Sequence, residues 1–163
     1  MSQVIDDTTF IGGYESKHMT MIENISRLSY SMYLNEEAYN ALKQMYDDLY
    51  KNTKKRFLVT SAYKSYDVLN LEENTSQAGY SEFQLGTSVS LKVNGIKDVE
   101  FVSTDVYQWL LEHSYEYGYV LRYPSDKVTI TQKESCNIFR YVGKENAQKM
   151  HNQNLCLEEL NNQ

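Results

Sequence analysis

Cations, histidines, cysteines and long apolar runs are all scarce in this chain. Sixteen Lys and Arg stand against 22 Asp and Glu, a net charge of −6. A nucleic-acid-binding domain normally presents a basic face, and this balance argues against one. The only basic run, Lys51 to Arg56, holds four cations and reads as a solvated helix end. The three histidines, His18, His113 and His151, are scattered, and His151 and Cys156, five apart, do not have a standard metal-ligand spacing. Two cysteines, Cys136 and Cys156, leave the redox compartment open; they could pair, but nothing in their spacing requires it. No stretch approaches the roughly 18 apolar residues of a membrane span. No apolar segment follows a charged N-terminal start, so no signal peptide is visible. A cytoplasmic protein and a mature exported domain both remain open. There is no internal repeat, low-complexity tract or linker, and the single proline, Pro124, ends a strand-like segment.

What is present suits one folded domain. The 163 residues are 41% hydrophobic and 13% aromatic, with 15 tyrosines whose amphipathic rings suit a core and a groove. Residues 1–25 are polar and weakly periodic, and are expected to wrap the surface as an N-terminal extension to a domain over 26–163. Asn35 is a good N-cap. Glu36 and Glu37 follow it, and Ala38, Leu42, Met45 and Leu49 recur at helical spacing. Arg56 to Ser61 reads as a strand, Asp67 to Tyr80 as a loop, and Thr87 to Val93 as a half-buried strand with Ser88 and Ser90 on its outer face. Ser103 or Thr104 caps a second helix that stops at Gly118. Tyr119 to Tyr123, Val128 to Thr131 and Ile138 to Val142 read as strands, with Ser125-Asp126 as a hairpin turn. A last helix follows Gly143. The order predicts an α+β fold, a small and mainly antiparallel sheet flanked by helices.

Several segments carry a family likeness. Ser61-Ala62-Tyr63-Lys64-Ser65-Tyr66 ends a predicted strand. Ala78-Gly79-Tyr80-Ser81-Glu82-Phe83-Gln84-Leu85-Gly86 follows, then Trp109-Leu110, then Tyr117-Gly118-Tyr119-Val120-Leu121-Arg122-Tyr123-Pro124, then Phe139-Arg140-Tyr141-Val142-Gly143, then Leu155 to Leu160. In this order the blocks resemble the VanY-type D-alanyl-D-alanine carboxypeptidases, whose fold is the zinc DD-peptidase, or hedgehog-like, fold. The likeness implies substrate-positioning roles for Tyr63, Lys64, Ser65, Ser81, Gln84 and Arg140. It implies a cell-envelope location and a peptidoglycan stem peptide, or a protein, as partner.

The departures fall on the chemistry. The family signature Ser-x-His-x-x-Gly-x-Ala-x-Asp lands on Ser81 to Ser90, which puts Phe83 at the His position and Ser90 at the Asp position. Aligned back from Phe139, the second zinc histidine falls on Ile138 and the general base on Ser135. Lys64 replaces an arginine, and a helix or lid is expected to be missing between Tyr66 and Ser81. Phenylalanine and isoleucine have no lone pair to donate, and a serine hydroxyl is a poor ligand beside a carboxylate. The resemblance therefore implies a zinc cofactor that the residues do not support, and a pseudoenzyme. The alternatives are a metallo-carboxypeptidase with unusual ligands, and an interaction module with no link to peptidoglycan. Ser135-Cys136 carries no nucleophile signature.

Overall fold

The computed structural model describes residues 11–71 and 78–163. A two-stranded antiparallel ribbon, β1 (Met19–Met21) with β2 (Tyr33–Asn35), leads into α1 (Glu36–Thr53). The Asn35 side chain accepts a hydrogen bond from the Glu37 amide, the expected cap. Ala38, Leu42, Met45 and Leu49 are buried on one face of α1. The main sheet comprises β3 (Leu58–Ser61), β4 (Ser88–Lys92), β5 (Tyr119–Tyr123) and β6 (Ser135–Tyr141), in the order β3-β4-β6-β5 with every pair antiparallel. Short helices α2 (Tyr66–Leu71), α3 (Asp98–Phe101) and α5 (Val128–Thr131) decorate the connections. The longer α4 (Asp105–His113) and α6 (Lys144–Gln153) pack beside the sheet, and α7 (Leu157–Asn161) closes the chain. The α+β expectation holds.

Four local expectations change. The N-terminal segment does not simply wrap the surface: Ile22 and Ile25 are buried in the main core with Leu42, Phe57 and Phe139. Tyr66–Leu71 is helical rather than loop, with the Ser65 hydroxyl accepting from the Val68 amide; residues 72–77 of the expected loop lie outside the described residues. β4 is not half-exposed. Ser88 and Ser90 are buried along with Val89 and Leu91, and the Ser88 hydroxyl donates to the buried Glu82 carboxylate on that face.

The fourth change concerns Val128–Thr131, which is one helical turn. Its β-branched sequence favours a strand. The antiparallel partner of β5 is instead β6, with Tyr123 opposite Ser135, so residues 124–134 form the connection. Val128 and Ile130 stay exposed there, and Thr131 Oγ1 donates to backbone carbonyls.

Thr104 rather than Ser103 caps α4, its hydroxyl accepting from the Tyr107 amide. Gly118 stands in the left-handed region at φ 86°, where it ends the turn before β5. Both cysteines are free, Cys156 buried and Cys136 half-buried.

Candidate functional site

The segment Ser81–Gly86 is a tight turn built from its own side chains. The Ser81 hydroxyl accepts from the Phe83 amide and caps a single 3-10 turn over Glu82–Leu85. Gly86 closes it at φ 71°, and a Cβ there would come within 2.8 Å of Ser16 Oγ. The left-handed backbone favours glycine there, and a side chain would also have to shift the Ser16 hydroxyl and the end of Met19. The turn points Glu82 inward and leaves Phe83 half-buried at the surface of a cavity.

Glu82 sits at the centre of a buried charge network. Arg122 Nε donates to its Oε1 at 2.6 Å, and Arg140 Nη1 and the Ser88 hydroxyl donate to its Oε2 at 2.8 and 3.0 Å. Arg122 Nη2 also reaches Glu158 on α7 at 2.8 Å. Burial pushes the Glu82 carboxyl up, but the Arg140 and Arg122 guanidiniums outweigh it and hold the group below its ordinary 4.5. The network spans the 3-10 turn, β5, β6 and α7, and it fixes the backbone that carries Phe83.

Above this network lies a cavity of ≈ 280 Å³, lined by Ser81, Glu82, Phe83, Tyr123, Lys133, Glu134, Ser135 and Ile138. Phe83 and Ile138 therefore meet on the wall of one cavity. Ser90 lies across the β4–β6 ladder from Ile138 and is itself buried. Burial and then the Glu82 carboxylate raise the Tyr123 phenol well above its usual range, so it stays a neutral donor. Of the positions implied as zinc ligands and base, Phe83, Ile138 and Ser135 line one cavity, and Ser90 is the ladder partner of Ile138. Their donor set does not fit a zinc ion: two of the three ligand positions are hydrocarbon and the third is an uncharged hydroxyl. Among the described residues, no three His, Cys, Asp or Glu side chains gather into a metal-holding group elsewhere.

The six residues expected to contact ligand separate into three groups. Ser81 lines the cavity just described. Tyr63, Lys64 and Ser65 line a different and larger one of ≈ 510 Å³; the Lys64 amide donates to the Phe83 carbonyl at 3.2 Å, so the two segments are joined. Gln84 and Arg140 are fully buried and serve the fold rather than an open surface. Gln84 Nε2 donates to the carbonyls of Gly12 and Tyr14, and its Oε1 accepts from the Gly79 amide. Arg140 is committed to Glu82. Tyr123, Lys133 and Glu134 on the cavity wall were missed by sequence reading. Lys133 and Glu134 sit just before the base position, between the segments read as strands at 128–131 and 138–142.

The chain is similar to known proteins in sequence and in fold. The family model for VanY, D-alanyl-D-alanine carboxypeptidase, matches residues 68–144. A D-alanyl-D-alanine carboxypeptidase of Enterococcus faecium is 32% identical over 152 residues, 88% of this chain and 49% of the relative. The chain belongs to the VanY family. A D-alanyl-D-alanine carboxypeptidase of Enterococcus faecalis is 45% identical over 86 residues, 52% of this chain and 31% of that protein. The chain thus spans about half or less of the length of these two curated relatives. Among solved structures, the LdcB LD-carboxypeptidase superposes with a TM-score of 0.87 at 28% identity, covering 97% of this chain and 84% of that one. The family's vancomycin-resistance D,D-pentapeptidase VanY, solved with Zn(II), gives 0.77 at 26% identity, covering 98% and 97%. VanYB in complex with D-alanine-D-alanine gives 0.75 at 26%, covering 99% and 97%.

Proposed function

We propose that this VanY-like carboxypeptidase domain binds a peptidoglycan stem peptide at the cell envelope without zinc and without hydrolysis. The observation that carries the reading is the chemistry of the shared cavity. Its wall holds Phe83 and Ile138 where the family's chemistry needs metal donors, and Ser135 where it needs a base. Without a metal-bound water and a proton acceptor, peptide hydrolysis has neither its nucleophile nor the means to make one. Binding does not need either. An apolar floor, the neutral Tyr123 hydroxyl and the charged pair Lys133 and Glu134 offer shape, hydrogen bonds and charge to a short peptide.

A second reading, an active metallo-carboxypeptidase, draws on the names of the relatives and on Glu134, a carboxylate at the cavity one residue before the base position. One experiment separates the two. The protein is titrated calorimetrically with a pentapeptide ending in D-Ala-D-Ala, with and without zinc, and the peptide is then weighed by mass spectrometry. Saturable heat with intact peptide is the expected result. Zinc-dependent release of D-alanine sinks the non-catalytic reading. Absence of both heat and cleavage removes the peptide as ligand and favours a protein partner.

A further inference from the structure

A third cavity, of ≈ 250 Å³, shares Tyr123, Glu134 and Ser135 with the cavity beside Phe83 and is otherwise walled by α4 and the connection that follows β5. Its surface is mainly apolar, from Val102, Leu111, Leu121 and Pro124. Tyr107 stands one turn from Leu111 on the same face of α4. Tyr107 is only 7% exposed, and its ring packs edge-on against Phe101 at 5.0 Å. Its hydroxyl takes part in no hydrogen bond among the described residues. Burial, then the Cys136 thiol and the Glu134 carboxylate, push the phenol up to about 12, and both of those neighbours lie on the cavity lining. A buried, neutral and unpaired hydroxyl therefore faces this space. Asp126 and Glu134 are the two charged residues on the lining, and both are exposed at its rim. Asp126 accepts from the Asn154 amide group at 3.4 Å, and Glu134 has no hydrogen bond or ion pair among the described residues. Lys127, beside Asp126, is paired with Glu159 at 2.9 Å instead.

We infer that this cavity binds an aliphatic ammonium group, a primary amine on an apolar stem such as a lysine side chain or a free polyamine carries. Methylenes of the stem suit the apolar wall, as the stems of long cationic side chains do elsewhere. The ammonium is donor-only, so it matches acceptors: the Tyr107 hydroxyl inside and the Asp126 and Glu134 carboxylates at the rim. Tyrosine rings add attraction for a cation over their faces. Other ligand classes fit less well. A purely apolar group leaves the buried Tyr107 hydroxyl unpaired, which costs free energy. An anion meets two carboxylates and no cation on the lining. A hard metal ion needs a fuller oxygen shell, and among the described residues no three His, Cys, Asp or Glu gather to supply one. The inference goes beyond the stem-peptide reading and does not rest on it.

The full chain is titrated with three small probes while its backbone amides are followed by NMR. The probes are Nα-acetyl-lysine methylamide, cadaverine, and the norleucine analogue of the first, which keeps the stem and lacks the ammonium. At least one amine is expected to give saturable shifts at millimolar concentration, centred on residues 102–111 and 121–136. The norleucine analogue is expected to bind about tenfold or more weakly than the lysine probe, as loss of a charge-assisted hydrogen bond does. Asp126→Asn combined with Glu134→Gln changes only exposed side chains, and is expected to cause a similar loss while the remaining amide spectrum stays unchanged. Tyr107→Phe keeps the ring against Phe101 and is expected to weaken amine binding by about threefold to tenfold. Saturation by the lysine probe alone supports the inference with a polypeptide side chain as the source; saturation by cadaverine supports it with a free amine. No saturable shift with either amine overturns it. So does equal affinity for the norleucine analogue, or amine binding that the carboxylate variant or Tyr107→Phe leaves unchanged. The probes contain no D-alanine, so the pentapeptide titration above tests the proposed function separately.

Discussion

Glu82 is the residue on which the site's geometry depends. It is the common acceptor for two guanidiniums and a hydroxyl, and none of those partners is exposed. Glu82→Gln removes the charge while both arginines stay buried, so a loss of about 3–5 kcal/mol is expected in urea unfolding. The same group sets an acid limit. Its folded-state pKa lies below the ordinary 4.5, so its stabilisation is fully present above about pH 4.5 and is lost as pH falls through the folded value. Midpoints of urea unfolding measured from pH 6 to pH 3 should fall over that range in the parent, and fall less in Glu82→Gln. The substituted metal positions give a second prediction. The triple variant Phe83→His, Ser90→Asp, Ile138→His places three donors where Ser90 and Ile138 already face each other across β4 and β6 and Phe83 shares the Ile138 cavity. One equivalent of zinc is expected to bind the variant and raise its melting temperature, and to leave the parent unchanged, as read by metal analysis after gel filtration. Equal zinc loading in both would contradict the proposed function.

At the scale of elements, two local devices hold the site-bearing strands. Gly118 lets the chain turn from α4 into β5. A Cβ there would meet Tyr141 Cε2 at 2.8 Å and the Gly143 backbone at 3.0 Å, on top of the left-handed backbone. Gly118→Ala is expected to cost at least about 1–2 kcal/mol by thermal unfolding, from φ strain before any clash is added. Thr104 supplies the N-cap of α4, and Thr104→Ala is expected to cost about 1 kcal/mol. Both elements were legible in the sequence because their signals are local: a cap, a helical apolar spacing and a terminal glycine. Val128–Thr131 was not: its β-branched residues favour a strand, yet β5 takes β6 as its partner and Val128–Thr131 is one helical turn in the connection between them. The burial of Ser88 and Ser90 was missed for a related reason. Alternation predicts one wet face, but Glu82 lies over the serine face of β4 and both faces are buried.

For the whole molecule, the question is where the folded unit begins. Ile22 and Ile25 lie in the main core, and the carbonyls of Gly12 and Tyr14 hold Gln84. A chain begun at residue 26 loses two buried isoleucines, each worth about 1.5–3 kcal/mol, as well as β1. It is expected to melt well below the full chain by differential scanning calorimetry. Equal stability would restore residues 1–25 to the status of a dispensable extension. No described helix is long and apolar enough to cross a membrane.

The sequence by itself determined the family, the fold class and the identity of the altered positions. Those follow from motifs in order along the chain, and a histidine replaced by phenylalanine is visible without coordinates. Tertiary structure decided which residues share a space. Phe83 and Ile138 are 55 positions apart yet line one cavity, because β4 and β6 pair and the Ser81 turn folds over them. Gln84 and Arg140 looked like groove residues and are internal, since buried polar groups must find partners and theirs are Gly79, Gly12, Tyr14 and Glu82. Tyr63, Lys64 and Ser65 line a different cavity from Phe83, although the Lys64 amide donates to the Phe83 carbonyl and the Tyr63 amide to that of Tyr33. Side-chain chemistry is written residue by residue; adjacency between distant residues exists only once the chain has closed.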